Sequence, residues 1–429
     1  MKETRFNIGI AGAGISGLIA GRELQRAGHQ VFIFESRLRT GGRVYSVPFN
    51  GFIIEAGPEF IHGNSKETIR LLEEYHIGYV PIHGKMYRFS DRHLSPEYGM
   101  TEGWDLLLEK MKSLNEDLAF GEFLNQYFPG NQFQNLRDSA IRFAEGFDLA
   151  DVKTASTQAL IAEWDQEDSA EYRIPEGYGT IIREIENDFK KLGGKIFLGH
   201  AVHSVDWNSN RVRFIVNEHR TFEMDKCIIS LPVSLLKKAN ADSESLTLNP
   251  VPAEKVNAIA RIGFGTVVKV IMIWHSSFWE TLVPEAQFIF SDLFIPTWWT
   301  QYPLDLPVLT GWLGGSQAEK WAGQPDAFFL NKALESLSII FSIPVNDLKK
   351  LLKGSSIFNW KTDPWSQGAY SFAQVGYQKD KAVCRKSISG RIYFTGEGYY
   401  DGPNPGTVEA AIVSGMTTAK LLQDEMIKM

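Results

Sequence analysis

The sequence predicts an α/β protein of two interleaved domains: a Rossmann-like dinucleotide-binding domain, and a second domain of mixed sheet and helices. Three observations carry this expectation. A glycine-rich turn near the start lies between a short apolar strand and a helix. Strand signals of the same kind return in the middle of the chain and near its end. Between them lie a helical stretch and a run dense in β-branched and aromatic residues. At 429 residues the chain exceeds what one hydrophobic core holds, so two or three domains are expected.

The opening unit is the most informative. Residues 6–11 read as a buried strand, and Gly12, Gly14 and Gly17 follow in the spacing GxGxxG. A helix is expected over 18–27, ending at Gly28, and the apolar run 31–34 closes a second strand at Glu35. This is a βαβ unit whose acidic residue stands roughly 20 residues beyond the first glycine. Gly12 permits the tight turn, Gly14 lets backbone approach a pyrophosphate, and Gly17 lets the helix pack on the strand. The helix N-terminus offers free N–H groups to phosphate, while Glu35 accepts from a ribose and repels a 2′-phosphate. The competing reading is a glycine-rich turn in an unrelated α/β domain.

Further along, residues 64–67 resemble a capping arrangement that opens a helix through Glu74. Trp104, Leu107, Leu108, Met111, Leu114 and Leu118 recur at helical spacing, and helical pattern continues to about Trp164. Residues 178–192 form another amphipathic helix, then 203–207 and 211–216 a hairpin across Asn208 and Asn210. A strand over 226–231 ends at Pro232, residues 267–274 and 286–312 suggest a second sheet, and a strand over 391–395 precedes a final helix at 407–423.

Composition excludes several classes. Apolar residues are 44% and charged residues 22%, which argues against disorder. The net charge of −7, from 44 basic and 51 acidic residues, leaves no footprint for nucleic acid. Cys227 and Cys384 make neither a disulfide framework nor a metal-type spacing, which suits a reducing compartment. No apolar run approaches the ~20 residues of a membrane span, and residues 6–11 are too short for a signal segment. A soluble, cytoplasmic protein without metal is expected.

Taken together, the ordered blocks resemble the flavin-containing amine oxidases, the family of monoamine and polyamine oxidases. They comprise 12–17 with Glu35, Arg39-Thr-Gly-Gly-Arg43, Glu55-Ala-Gly-Pro-Glu-Phe-Ile-His-Gly63, and Pro175-Glu-Gly-Tyr-Gly179. Asn249-Pro-Val-Pro252, 263–269, 360–370, 394–398 and 407–411 complete them. The resemblance is weakest over about 85–170. It implies FAD, bound noncovalently because Ala369 stands where monoamine oxidases carry the flavin-linked cysteine. It places the FAD-binding domain at 1–75, 175–235 and 385–429. The substrate domain is then 76–174 and 236–384, with a helical insertion at about 100–170.

Residue by residue, the resemblance implies FAD contacts from Gly12, Gly14, Ile15, Ser16, Gly17, Glu35 and Ser36. Others come from Gly41, Gly42 and Arg43, from Gly57, Pro58 and Glu59, and from Val202, Trp360 and Gly396. Arg43 presents a fixed cation to the pyrophosphate or flavin edge. Glu397 lies near the ribityl-phosphate, and the final helix points its N-terminus, at Thr407 and Val408, toward the flavin C2 carbonyl. Lys269 interrupts an apolar strand. Such a lysine ordinarily faces solvent, but the resemblance places it behind a water at the flavin N5. Tyr370 and, at the second cage position, Thr407 flank the amine, with Trp365 as a wall and His62 beside them. A threonine at that second position opens the cage. The acidic cluster Glu163, Asp165, Glu167 and Asp168 reads either as a solvated helix face or as an attractor for a polycation.

The activity implied is oxidation of an amine C–N bond. Hydride passes to flavin N5, the imine hydrolyses to aldehyde, and O2 is reduced to H2O2. The partners are thus a small-molecule amine and O2. No dyad is evident that would supply a strong base. Two alternatives stay open: an L-amino-acid oxidase or a C–C desaturase of the same superfamily, and a binding role in which the fold and FAD survive without catalysis.

Overall fold

The computed structural model describes residues 5–427 apart from 98, 166–169, 218–219, 242–244 and 403. Its first sheet is five-stranded and wholly parallel. In order across the sheet the strands are Lys195–Leu198, Gln30–Glu35, Asn7–Ala11, Lys226–Ile229 and Ile392–Phe394. Pieces from the beginning, middle and end of the sequence therefore make one sheet. Its strands are short and nearly all apolar because both faces are covered. One face packs on the helices Ile15–Arg26, Gly179–Lys191 and Val408–Ile427. Gly415 lets the first and last of these cross closely, since a Cβ there would meet the Ser16 carbonyl at 2.6 Å. The other face packs on a four-stranded sheet that contains the expected hairpin, Val202–Asp206 with Val212–Val216.

A second, seven-stranded sheet runs Leu352–Asn359, Val267–Trp274, Val308–Gly314, Thr297–Trp299, Ala286–Ser291, Lys85–Ser90 and His93–Pro96. All neighbours are antiparallel except Ala286–Ser291 with Lys85–Ser90. The strand Val267–Trp274 is buried at every position, so its side chains are enclosed on both faces rather than alternating between core and water. Four helices, Trp104–Lys112, Phe120–Tyr127, Gln134–Gly146 and Thr157–Trp164, form a layer with its own aromatic core. A three-stranded sheet pairs Phe60–His62 with Glu171–Arg173, putting His62 opposite Glu171 and Phe60 opposite Arg173.

The expected capping arrangement at 64–67 is corrected. The helix Lys66–Glu74 has no side-chain cap from Ser65, whose hydroxyl donates to the His62 carbonyl instead. The anion at this N-terminus is remote in sequence. Glu409, from the first turn of the final helix, accepts from Glu67 N at 2.9 Å and from Thr68 N and Oγ1, both at 2.7 Å. A carboxylate there satisfies two orphan donors and complements the helix dipole. No single helix among the described residues is long and apolar enough to cross a membrane.

Candidate active site

The cofactor cradle is built from backbone. The helix Ile15–Arg26 opens at Gly14 without a side-chain cap, so its first N–H groups are left for an anion. Gly12 adopts φ 100°, and a Cβ on it would press on the Ser230 carbonyl at 2.9 Å. A Cβ on Gly14 would meet nothing within 4 Å, so the open space a pyrophosphate needs lies directly over it. A Cβ on Gly17 would lie 2.3 Å from the Gly12 carbonyl. Gly41 bridges to Gly14, and Gly42 stacks against the same residue. Glu35 ends its strand with Oε2 accepting from Ala13 N at 2.8 Å and Oε1 accepting from Arg37 N and Ser36 Oγ. A carboxylate has room for one more donor, which suits a ribose hydroxyl. Val202 begins its strand half-buried against the core of this side. These residues fit a dinucleotide.

Arg43 and Glu397 prove to be partners. Arg43 Nη1 donates to Glu397 Oε1 at 2.9 Å and to the Ala369 carbonyl, while Ser371 Oγ donates to Glu397 Oε2. Gly396, at φ 148°, leads directly into this acid. Part of the Arg43 fork is thus spent inside the protein, and the remaining N–H groups are available to an anion.

Lys269 is the centre of the second half. It is 1% exposed, and its Nζ donates to the Glu55 carbonyl (2.6 Å), the Gly57 carbonyl (3.0 Å) and Glu59 Oε2 (2.9 Å). Three acceptors that cannot donate require three hydrogens, so the group sits as an ammonium. The solvent-face reading of this lysine is overturned, because the strand has no solvent face. Glu59, expected as a cofactor contact beside Gly57 and Pro58, directs its carboxylate under Lys269. It also accepts from Arg173 Nη1 at 2.9 Å and Gln301 Nε2 at 2.8 Å. Burial alone raises such a carboxyl, but the ammonium of Lys269 and the guanidinium of Arg173 outweigh it and hold Glu59 at about 2. Trp360 is also buried, its indole N–H donating to the Ala56 carbonyl at 2.9 Å. Three consecutive carbonyls at 55–57 are therefore satisfied by side chains from the second sheet and the loop that follows it.

Around Lys269 runs a closed wall of rings. Its ammonium lies 5.2 Å from the Trp299 ring, which packs on Trp312 (5.7 Å) and Phe60 (5.6 Å). Phe60 meets His62 at 5.8 Å, and His62 meets Phe147 edge-on, also at 5.8 Å. Trp312, opposite Lys269 in the sheet, closes the circuit by donating to the Gly146 carbonyl at 2.7 Å. Tyr370 joins it through its hydroxyl, which donates to the Phe147 carbonyl. Burial first, then the nearby acids, raise that phenol well above its ordinary value.

Two other residues expected at the cage are placed as follows. Trp365 is 37% exposed in its loop and, among the described residues, makes no ring contact with Tyr370. Thr407 spends its hydroxyl on the final helix, accepting from Ala410 N at 3.1 Å and donating to the Asn404 carbonyl at 2.9 Å. Its neighbour Gly406, at φ 73°, is what meets Tyr370, since a Cβ there would lie 3.0 Å from the ring. Val408, next in the chain, is buried and begins the helix. A pair that the sequence did not show is present: His62 Nδ1 lies 3.0 Å from Glu171 Oε1, 109 residues away.

The acidic cluster also reads differently. Glu167 and Asp168 lie outside the described residues, and Asp165 pairs with Lys112 at the surface. Glu163 turns inward beside Asp148, whose Oδ2 accepts from Trp164 Nε1 at 2.8 Å. Burial raises both carboxyls, and the charge of Asp148 further raises Glu163. Asp148 adjoins Phe147, whose carbonyl holds Tyr370.

Fold and site together define a class: an α/β dinucleotide-binding protein whose cradle opens beside an aromatic chamber with a buried lysine. The profile of the flavin containing amine oxidoreductases matches residues 15–423. The chain belongs to that family. It is 25% identical to polyamine oxidase 2 of Arabidopsis thaliana over 98% of this chain and 88% of that one. It is likewise 25% identical to lysine-specific histone demethylase 1 homolog 1 of Oryza sativa subsp. japonica, covering 96% of this chain. The chain spans about half, 51%, of that relative's length. The structure of putrescine oxidase bound to putrescine shares the fold at TM-score 0.82 and 18% identity, covering 98% and 99% of the two chains. Cyclohexylamine oxidase from Brevibacterium oxydans does so at 0.79 and 16%, covering 99% and 100%.

Proposed function

We propose that the protein oxidises a small di- or polyamine at a C–N bond, releasing an imine that hydrolyses to aldehyde and reducing O2 to H2O2. The observation that carries this is the aromatic chamber closed around a buried ammonium at Lys269, opening beside an FAD cradle. FAD, when bound, supplies the acceptor for the hydride leaving the amine α-carbon. The chain's own residues set the conditions. Ring walls at Tyr370, Phe147, Phe60 and Trp299 exclude water and favour the neutral amine at the reacting nitrogen. Lys269 offers a fixed positive charge rather than a base, since its hydrogens are held by Glu55, Gly57 and Glu59. The final helix brings its N-terminus to Tyr370 through Gly406, adding a positive dipole end at the chamber.

The second charge of the substrate is read by Asp148 and Glu163, two inward carboxyls beside the Tyr370 anchor; the charge of Lys381 acts on Glu163, but no cation is hydrogen-bonded to either among the described residues. Similarity to polyamine and putrescine oxidases supports the same substrate class. The discontinuous division at 1–75, 175–235 and 385–429 against 76–174 and 236–384 fits this arrangement of cradle and chamber.

The test is anaerobic titration of the purified flavoprotein with diamines, polyamines, monoamines and amino acids, following the flavin absorbance. Bleaching by di- or polyamines is expected. Bleaching by amino acids alone, or by none of these, overturns the reading.

A further inference from the structure

Next to Glu59, the carboxylate that holds Lys269, lies a cavity of about 20 Å³ whose mostly apolar lining includes the polar side chains of Glu55, Glu59, Arg173, Gln301 and Thr310. Two of its lining residues carry buried polar atoms without a hydrogen-bond partner among the described residues: Glu55 Oε2 and Arg173 Nε. The rest of each group is committed. Glu55 Oε1 accepts from Ser46 Oγ and Tyr178 N, both at 2.8 Å. Arg173 gives Nη1 to Glu59 and Gln301, and Nη2 to the Thr300 carbonyl. Glu55 is 8% exposed and Arg173 3%. Two orphaned polar atoms at one buried space point to an occupant. The volume holds a single water, which needs about 10–15 Å³ and two to four polar partners.

We propose that this cavity is a resident water site and that Glu55 is carried there as the neutral acid. The water accepts from Arg173 Nε–H and from the Glu55 carboxyl O–H, and its own hydrogens reach the Thr310 hydroxyl and the Gln301 carbonyl or Glu59. The geometry supports the neutral form. The groups facing Glu55 are Lys269 from the strand Val267–Trp274, Arg173, Glu59 and the phenol of Tyr178. All three Lys269 hydrogens go elsewhere, one of them to the backbone carbonyl of Glu55 itself, and no Arg173 N–H reaches the Glu55 carboxyl. Burial then dominates and lifts Glu55 to about 7, against the opposing pull of Ser46 and Lys269.

Glu55 is thereby a positioning residue. Its side chain is pinned by water and Ser46 while its carbonyl seats Lys269, so the hydrated acid fixes the segment on which the lysine rests. The inference rests on the proposed function only in taking Lys269 as part of the reaction site. Both measurements below need no turnover, so their failure and that of the amine-oxidation reading are separable.

The first measurement is a high-resolution crystal structure of the flavin-loaded protein. One water peak within hydrogen-bond distance of both Arg173 Nε and Glu55 Oε2 is expected, and an empty or collapsed cavity overturns the site. The second compares melting of wild type and Glu55→Gln from pH 5 to pH 9. A carboxyl raised above its unfolded value binds more protons when folded, so wild type loses stability as pH climbs from near 4.5 through about 7. The amide does not titrate. The midpoint of E55Q is therefore expected to rise by a few degrees relative to wild type across that range. A gap that stays constant with pH overturns the neutral acid. Should E55Q fail to fold, the wild-type density still decides whether the water is there.

Discussion

The phosphate-facing turn at residues 12–17 and the chamber around Lys269 are neighbours in space, joined through residues 55–57 and Arg43. They are built by opposite means. In the turn, recognition comes from backbone: open space over Gly14, an uncapped helix end, and glycines placed where a Cβ would strike a carbonyl. In the chamber it comes from side chains brought from positions 55–62, 146–148, 173, 269, 299–312 and 370. The first kind of site tolerates almost no change at a few positions. The second spreads its function over many residues, each supported by another.

The hardest way to break this contrast is at the turn. Gly17→Ala puts a methyl 2.3 Å from the Gly12 carbonyl, so the helix must move off the strand, costing about 3 kcal/mol. Affinity for FAD is expected to fall by about 100-fold, read from the flavin retained after dialysis. Retained flavin would show that the turn is looser than its packing implies. Next comes Lys269→Met, which leaves Glu59 buried with Arg173 as its one cationic partner among the described residues and is expected to destabilise the fold by about 3 kcal/mol. Adding Glu59→Gln should restore part of that loss, because the uncompensated carboxylate is then gone, and a double-mutant cycle in urea measures it.

A third prediction concerns substrate charge. Asp148→Asn with Glu163→Gln should raise KM for a diamine about tenfold or more while changing a monoamine little, as expected for loss of a charge-assisted contact. In wild type the diamine preference should sharpen as pH rises, since both carboxyls are held above their ordinary range and are neutral in acid. Equal effects on both amines would remove the pair from recognition. The smallest effect is Thr407→Ala, which deletes the cap on Ala410 N and should cost about 1 kcal/mol in stability. Amine KM should barely move; a large KM change would return Thr407 to the chamber wall.

The same contrast explains how much was legible in the sequence. The turn, its strand and its helix are contiguous, so spacing alone placed Gly12, Gly14, Gly17 and Glu35, and the structure adds the bonds to Glu35 from Ala13 N, Arg37 N and Ser36 Oγ. Four strands of the parallel sheet and the runs at 267–274 and 286–312 were also readable from their apolar and β-branched residues, whereas Lys195–Leu198, Lys85–Ser90, His93–Pro96 and Leu352–Asn359 were not. The burial of Lys269 was not readable either, because nothing in Val267–Trp274 says that the strand is covered on both faces; only the family resemblance pointed to that lysine. Likewise His62 with Glu171 and Glu59 with Arg173 are pairs more than 100 residues apart, made by one strand pairing that no local spacing announces. The one available hint was the run of residues 55–63, where two acids and a histidine interrupt an apolar segment.

The capping of helix Lys66–Glu74 by Glu409 has a consequence for assembly in time. A ribosome delivers residue 66 long before residue 409, and the strand Ile392–Phe394 likewise joins the parallel sheet last. Until then the emerging chain carries an unpaired sheet edge at Lys226–Ile229 and a helix end with exposed donors. The cradle and chamber are thus expected to acquire native order together and late, when the final helix docks, rather than one domain at a time. Nascent chains arrested before residue 390 should hold no flavin.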